Sequence, residues 1–312
     1  MKKLLFLTVL LSLIFMGGCK KGKEKQATTQ QQIVQQADTG FNEQKFFESI
    51  DQSKIAEIND IIGGFASPVE VAAVLKDYHI PFKKEYLAPT SLAQNYDINL
   101  KKAIGLGVYS ADLGYLNIYH KNAQIIDYLQ VIFNLASDLR VAQFFDFQSL
   151  KYLVTTSDNM DSLLFLSVNS FYQIDNYFRS TRRSYLSLLS VTGVWIEGLY
   201  LLTQVQKDNL YVNLRNQIGS QKELLNKLIE LLEVYKGHPK FDYLIKQFKQ
   251  LQKAYEGVQI TEKKYEGKTR TVKNGRVIYS QDVETVIQMD DQTLNNIIKT
   301  TAKVRNAVLN MP

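Results

Sequence analysis

The chain has 312 residues, 37 of them basic and 31 acidic, is 45% hydrophobic, and contains three histidines, five prolines and a single cysteine. That apolar content excludes a disordered chain, and the length allows one large domain or two small ones. A net charge of +6 is too mild at this size to point to nucleic acid, and a lone cysteine excludes an internal disulfide, so the fold must rest on its core.

Lys2 and Lys3 precede an apolar run from Leu4 to Phe15, and Met16, Gly17 and Gly18 lead into Cys19. A charged start, a short apolar stretch and small residues at its end describe a secretory signal. The run is too short for a spanning helix of about 20 residues. With the cysteine directly after the glycines, residues 1–19 resemble a bacterial lipoprotein signal, with Met16 where such signals usually carry leucine. The resemblance implies removal of residues 1–18, acylation of Cys19 and a membrane partner reached through that lipid. Lys20, where aspartate would favour inner-membrane retention, implies the outer membrane, on its periplasmic or surface face. Losing Lys2 and Lys3 lowers the net charge to +4.

Residues 19–40 are rich in glutamine and lysine and poor in large apolar side chains, which predicts a flexible tether. As a random coil it would hold the body about 25 Å from the lipid. Residues 41–312 are expected to form a single, mostly helical domain. Apolar residues at helical spacing predict a first helix from Phe41 to Ile62. Ser67–Pro68–Val69–Glu70 then reads as a helix start, because serine caps, proline fits the first turn and glutamate closes a capping box. Pro81 and Pro89 mark an ordered connection rather than more helix.

Two helical hairpins follow, Asp97–Tyr119 with Ala123–Arg140, and Arg182–Gln206 with Leu210–Tyr235. Helices over 146–156 and up to Phe178 lie between them. Gly237–His238–Pro239 breaks the pattern before an amphipathic helix carrying Phe241, Leu244, Phe248 and Leu251. Residues 258–289 change character. They are rich in β-formers, Asn274–Gly275 is a favoured hairpin turn, and Val283, Thr285, Ile287 and Met289 alternate. A last helix begins near Asp290. The expected fold is mainly α, a multi-helix bundle or solenoid-like stack of helical hairpins, with one β-hairpin before a C-terminal helix. The body resembles uncharacterised envelope lipoproteins of two-membrane bacteria and no characterised family.

No metalloprotease, nucleophile-elbow, calcium-loop or phosphate-loop motif is present. No metal or cofactor is expected. His79 and His238, each close to a proline, read as loop or capping residues. Gly107–Val108–Tyr109 with Leu113 matches Gly193–Val194–Trp195 with Leu199 at the same offset, so an internal duplication and a chance likeness both stand. Asp112 and Glu197 follow those glycines by five and four residues. Facing inward they would form a carboxylate pair suited to acid–base work. Facing outward they would meet solvent or a base such as Arg140, Arg182 or Arg183. Tyr109, Tyr115, Trp195 and Tyr200 surround the glycines and would line a groove for a sugar or an apolar ligand, or else fill a core.

The hairpin carries Lys263, Lys264, Lys268, Arg270, Lys273 and Arg276, with Glu262 and Glu266 among them. These bases would meet anionic headgroups or an acidic partner, or merely discourage edge-to-edge pairing. Three functions therefore remain open. The leading one is a lipid-anchored, non-catalytic binding or scaffolding module of the cell envelope with a protein partner there and no nucleic acid. The others are a carrier with a glycine- and aromatic-lined groove, and an enzyme using Asp112 and Glu197.

Overall fold

The computed structural model describes residues 41–51, 53–54, 75, 80–156, 160–209, 211–273 and 276–312. The signal, Cys19, the tether, the Ser67–Glu70 start and the Asn274–Gly275 dipeptide lie outside the described residues. Asn42–Pro312 falls into one compact unit. The chain is mainly α, and among the described residues there is one two-stranded antiparallel hairpin, before the C-terminal helix.

Helix α1 (Glu43–Ser49) is capped by Asn42, whose side chain accepts from the Lys45 N–H at 2.8 Å. It stops at Ser49, and residues 53–54 are helical again, so the expected helix is interrupted at Ile50 and Asp51; residues 55–62 lie outside the described residues. Ile50 adopts extended backbone, and the Asp51 carboxylate then accepts from the Ser53 N–H and hydroxyl at 2.9 and 2.8 Å. The Asp51 side chain thus caps the helical turn that resumes at Ser53, a break that apolar spacing alone does not announce.

The connection over residues 80–98 holds two 3-10 turns, Lys84–Tyr86 and Thr90–Asn95. The first hairpin pairs α2 (Asn99–Ile118) with α3 (Asn122–Asp138). After it come α4 (Phe147–Thr156) and α5 (Met160–Ser180). The second hairpin joins α6 (Ser184–Asp208) to α7 (Val212–Glu233), and α8 (Pro239–Ala254) follows. His238 caps α8, its Nδ1 accepting from the Lys240 N–H at 3.2 Å with Pro239 in the first turn, the role its position beside a proline suggests.

Helices α2, α3 and α5 close in one manner. His120, Arg140 and Arg182 take left-handed backbone, with φ of 51°, 61° and 58°. The next N–H in each case reaches back five residues, Lys121 to Leu116, Val141 to Ala136 and Arg183 to Phe178, at 3.1, 2.8 and 2.6 Å. Glycine usually occupies such a position, since a Cβ there is strained. At these three ends no glycine announces the stop.

Helix α6 sits at the centre and touches α2, α5, α7 and the last helix, α9 (Asp291–Leu309). It is long and apolar enough to cross a bilayer, but 89% of its apolar window is buried inside the body, so here it is the core helix. Strands β1 (Gln259–Lys273) and β2 (Arg276–Gln288) pair antiparallel from Gln259↔Gln288 to Lys273↔Arg276. The register shifts between Lys264 and Lys268, where residues 265–267 face residue 282 alone. At the hairpin base, Ile260, Ile287 and Met289 pack on the core. A Cβ on Gly219 of α7 would fall 2.5 Å from Ile287 and 2.6 Å from Met289, so glycine is what lets the base seat there.

Candidate functional site

Helices α2 and α6 cross at Gly107 and Gly193. A Cβ on Gly107 would lie 2.0 Å from the Ser190 carbonyl oxygen and 2.8 Å from the Val194 nitrogen. A Cβ on Gly193 would lie 2.2 Å from the Ile104 carbonyl oxygen and 3.1 Å from the Val108 nitrogen. The contacts are reciprocal: each glycine meets the residue three before and the residue one after the other glycine. The two matched sequence segments are thus the two sides of one close crossing. Backbone fills the space between them, so no ligand groove runs between Gly107 and Gly193.

The aromatic candidates belong to the same packing. Tyr109 and Tyr115 are fully buried and Trp195 nearly so. Each polar tip has an internal partner. The Tyr109 hydroxyl donates to the Pro89 carbonyl at 2.9 Å, Tyr115 accepts from the Lys83 N–H at 3.1 Å, and the Trp195 indole donates to Gln221 at 3.0 Å. Tyr200 is half-buried and lies beneath the Arg305 guanidinium, 4.5 Å from its ring centre.

One turn beyond the glycines, the structure brings Asp112 and Glu197 together, both at 0% exposure. Neither meets solvent, and the base between them is none of Arg140, Arg182 or Arg183. It is Arg305 of α9. Arg305 Nε donates to Glu197 Oε2 at 2.8 Å and Nη2 to Oε1 at 2.7 Å, a bidentate pair whose planar fork matches the carboxylate. Arg305 Nη2 also reaches the Tyr86 carbonyl at 3.4 Å. Burial works against the charge on Arg305, but Glu197 beside it more than compensates, and its pKa is raised.

Asp112 is handled differently. Its Oδ2 accepts from the Ala88 N–H at 2.9 Å. Burial first, and the Glu197 carboxylate second, push its pKa well above the ordinary carboxylate value, against the opposing pull of Arg305 and the Ala88 N–H. Oδ1 is buried and has no partner as an acceptor. A proton on Oδ1 resolves this, because it turns that oxygen into a donor toward Glu197, the neighbour whose hydrogen bond raises the Asp112 pKa. One cation then faces two acids, and the raised pKa of Asp112 favours its neutral form beside the Arg305–Glu197 pair.

The same cluster fastens the connection over 80–98 to the bundle. Ala88 donates to Asp112 and accepts from the Tyr128 hydroxyl of α3 at 2.6 Å. The Tyr86 carbonyl meets Arg305, while its hydroxyl bonds to Asp208 and to the Gln204 carbonyl at the end of α6. Lys83 pairs with the same Asp208, and together Lys83 and Tyr86 lower the Asp208 pKa. Residues 83–89 are thereby clamped to α2, α3, α6 and α9.

Sequence reasoning missed Arg305, Tyr86 and the main chain of Ala88. A signal for Arg305 existed. Leu294, Ile297, Ile298, Val304 and Val308 trace the apolar stripe of α9, and Arg305 stands seven residues after Ile298 and three before Val308, inside that stripe. A base there needs a buried acid. No family model, curated protein or solved structure matches this chain.

The remaining candidates fall elsewhere. Lys263, Lys264, Lys268, Arg270 and Lys273 lie on β1, and Arg276 opens β2 opposite Lys273. Cys19 is outside the described residues. A separate open cleft of about 610 Å³ is lined by Glu43, Phe47, Glu48, Asp97, Arg182 and Tyr185 among others, and no sequence-predicted site residue takes part in it. Among the described residues, no three His, Cys, Asp or Glu side chains gather as a metal site.

Proposed function

We propose that this chain is a lipid-anchored protein of the cell envelope that binds or scaffolds another envelope component and performs no reaction. The observation that carries the non-catalytic part is the clamp at the helix crossing. Asp112, Glu197 and Arg305 are sealed from solvent and bonded to one another and to residues 86–88. Groups arranged in this way hold a connection in place. The address rests on the run from Lys2 to Cys19 and its resemblance to lipoprotein signals. A multiply acylated cysteine anchors effectively for good, whereas one chain is marginal.

The test is recovery of the native protein from cross-linked, detergent-solubilised envelope, with intact mass measured on the same sample. The expected result is a chain beginning at acylated Cys19 together with a stable envelope partner. An unmodified mass, residence in the soluble fraction, or recovery without any partner overturns the proposal.

One observation favours a second reading, an enzyme using the carboxylate pair. An Asp112 driven toward its neutral form beside a carboxylate paired with Arg305 is the division of roles that acid–base catalysis uses. Substrate access then requires residues 83–89 to lift, since both carboxylates are at 0% exposure. Hydrogen exchange at the Ala88 amide decides it. Opening far more often than global unfolding supports access, and protection equal to global stability dismisses it.

A further inference from the structure

The register shift divides the hairpin into two parts with different charge. The part near the body pairs residues 259–264 with 283–288 and holds Glu262, Lys263, Lys264 and Glu284; the irregular step itself adds Glu266 and Asp282. The far part runs in register from Lys268↔Gln281 to Lys273↔Arg276. It contains Lys268, Arg270, Lys273 and Arg276 and not one acid, together with Val272, Val277, Ile278 and Tyr279. Apart from these four bases and the Lys2–Lys3 pair, the whole chain is balanced, with 31 bases against 31 acids. These four bases, on six residue pairs that form a ribbon about 17 Å long, equal in number the net charge of +4 left after Lys2 and Lys3.

We propose that the far part of the hairpin, residues 268–273 with 276–281, lies on anionic phospholipid headgroups, with Lys268, Arg270, Lys273 and Arg276 supplying the electrostatic attraction. This rests on the proposed anchor at Cys19, which keeps the body within about 25 Å of the bilayer. Tethering raises the local concentration of headgroups into the range where a weak site is occupied, so a modest patch suffices. Each base near an anionic surface is worth about fivefold in binding at low salt. Valine, isoleucine and tyrosine among the bases suit the boundary between headgroup and acyl chain. The acids at and below the register shift confine the attraction to the outer part.

The experiment uses the acylated full chain carrying Thr271→Cys. Acylation of Cys19 leaves position 271 as the one free thiol, which takes a fluorophore. The protein is placed in phosphatidylcholine vesicles with and without 30% phosphatidylglycerol, and quenching by a headgroup-attached quencher is read at about 50 mM and 500 mM salt. The expected result is strong quenching only with phosphatidylglycerol at low salt. It should be lost in the Lys268→Gln, Arg270→Gln, Lys273→Gln, Arg276→Gln variant, whose urea midpoint stays that of the parent. Equal quenching in neutral vesicles, or in the fourfold variant, overturns the proposal. So does an oligonucleotide of matched charge that displaces the hairpin from the anionic vesicles at equimolar charge, which would make nucleic acid the preferred partner. Failure of the anchor reading is visible separately, as a second labelled thiol at Cys19. The same vesicles are then scored by co-flotation, where dependence on phosphatidylglycerol that is lost in the fourfold variant supports the proposal and its absence overturns it.

Discussion

Helices α2 and α6 meet as near-equals and finish as opposites. Each carries a glycine that lets the other's backbone come into contact, and each places an acid one turn further on. On α6 the acid sits in a bidentate pair with Arg305; on α2 it is held by one backbone N–H and driven toward its neutral form. The difference shows what a single buried cation can do. It balances one carboxylate, and a second carboxylate in the same dry volume is less costly when it keeps its proton.

The strongest way to break this contrast is to remove the cation. Arg305→Ala leaves Glu197 buried and uncompensated, a loss of about 3–5 kcal/mol in urea unfolding. It should also free residues 83–89, seen as faster hydrogen exchange at Ala88. Pairing Arg305→Met with Glu197→Leu removes both charges and is expected to restore most of the stability, since apolar replacements of a buried ion pair are often near neutral. If the double variant is no better than Arg305→Ala alone, packing rather than charge is the larger contribution of Arg305.

Next in size is the crossing itself. Gly107→Ala and Gly193→Ala each force a methyl into a backbone oxygen at 2.0 or 2.2 Å, and neither helix can yield without moving whole. Each should cost about 1–3 kcal/mol, the range for overpacked cores. The reciprocal contacts predict similar losses for the two, and a double variant that costs less than their sum, because one separation of the helices relieves both. Gly105→Ala is the control. Its methyl would meet the Tyr96 ring, a side chain rather than backbone, so the loss should be smaller.

The parts of this arrangement visible in the sequence are those written in local pattern. The two hairpins, the His238–Pro239 start and the β-hairpin all follow from periodicity, proline and β-forming residues, and the structure has them within a few residues. The glycine match between residues 107 and 193, read in the sequence as a duplication or a chance likeness, falls at the crossing. The rest is non-local or breaks a local rule. Ile50 breaks the first helix in extended backbone and Asp51 caps the turn that resumes at Ser53, while His120, Arg140 and Arg182 end helices where glycine is expected. Arg305 joins Glu197 across 108 positions, a distance no helical spacing encodes. An arginine within an apolar stripe says that an acid must be found, but not which one. Asp112 and Glu197 were named because they interrupt apolar helices, and the same logic applied to α9 would have added Arg305.

The smallest effect is the sharpest test of the difference between the two acids. Asparagine at position 112 is the neutral carboxyl's nearest copy: its oxygen can accept from the Ala88 N–H, and its amide can donate to Glu197. The raised pKa fixes a sign. Above the ordinary aspartate value of 3.8, the folded chain holds a proton that the unfolded chain releases, so this residue lowers stability as pH rises from about 4 toward its folded pKa and levels off beyond it. Asp112→Asn removes that slope. The stability of the variant relative to the parent should therefore rise with pH above about 4 and level off beyond the folded pKa. Urea midpoints of both proteins across that range decide it, and subtraction cancels every other titrating group. A difference that stays constant with pH would mean that Asp112 is ionised in the fold, and that Arg305 serves both helices alike.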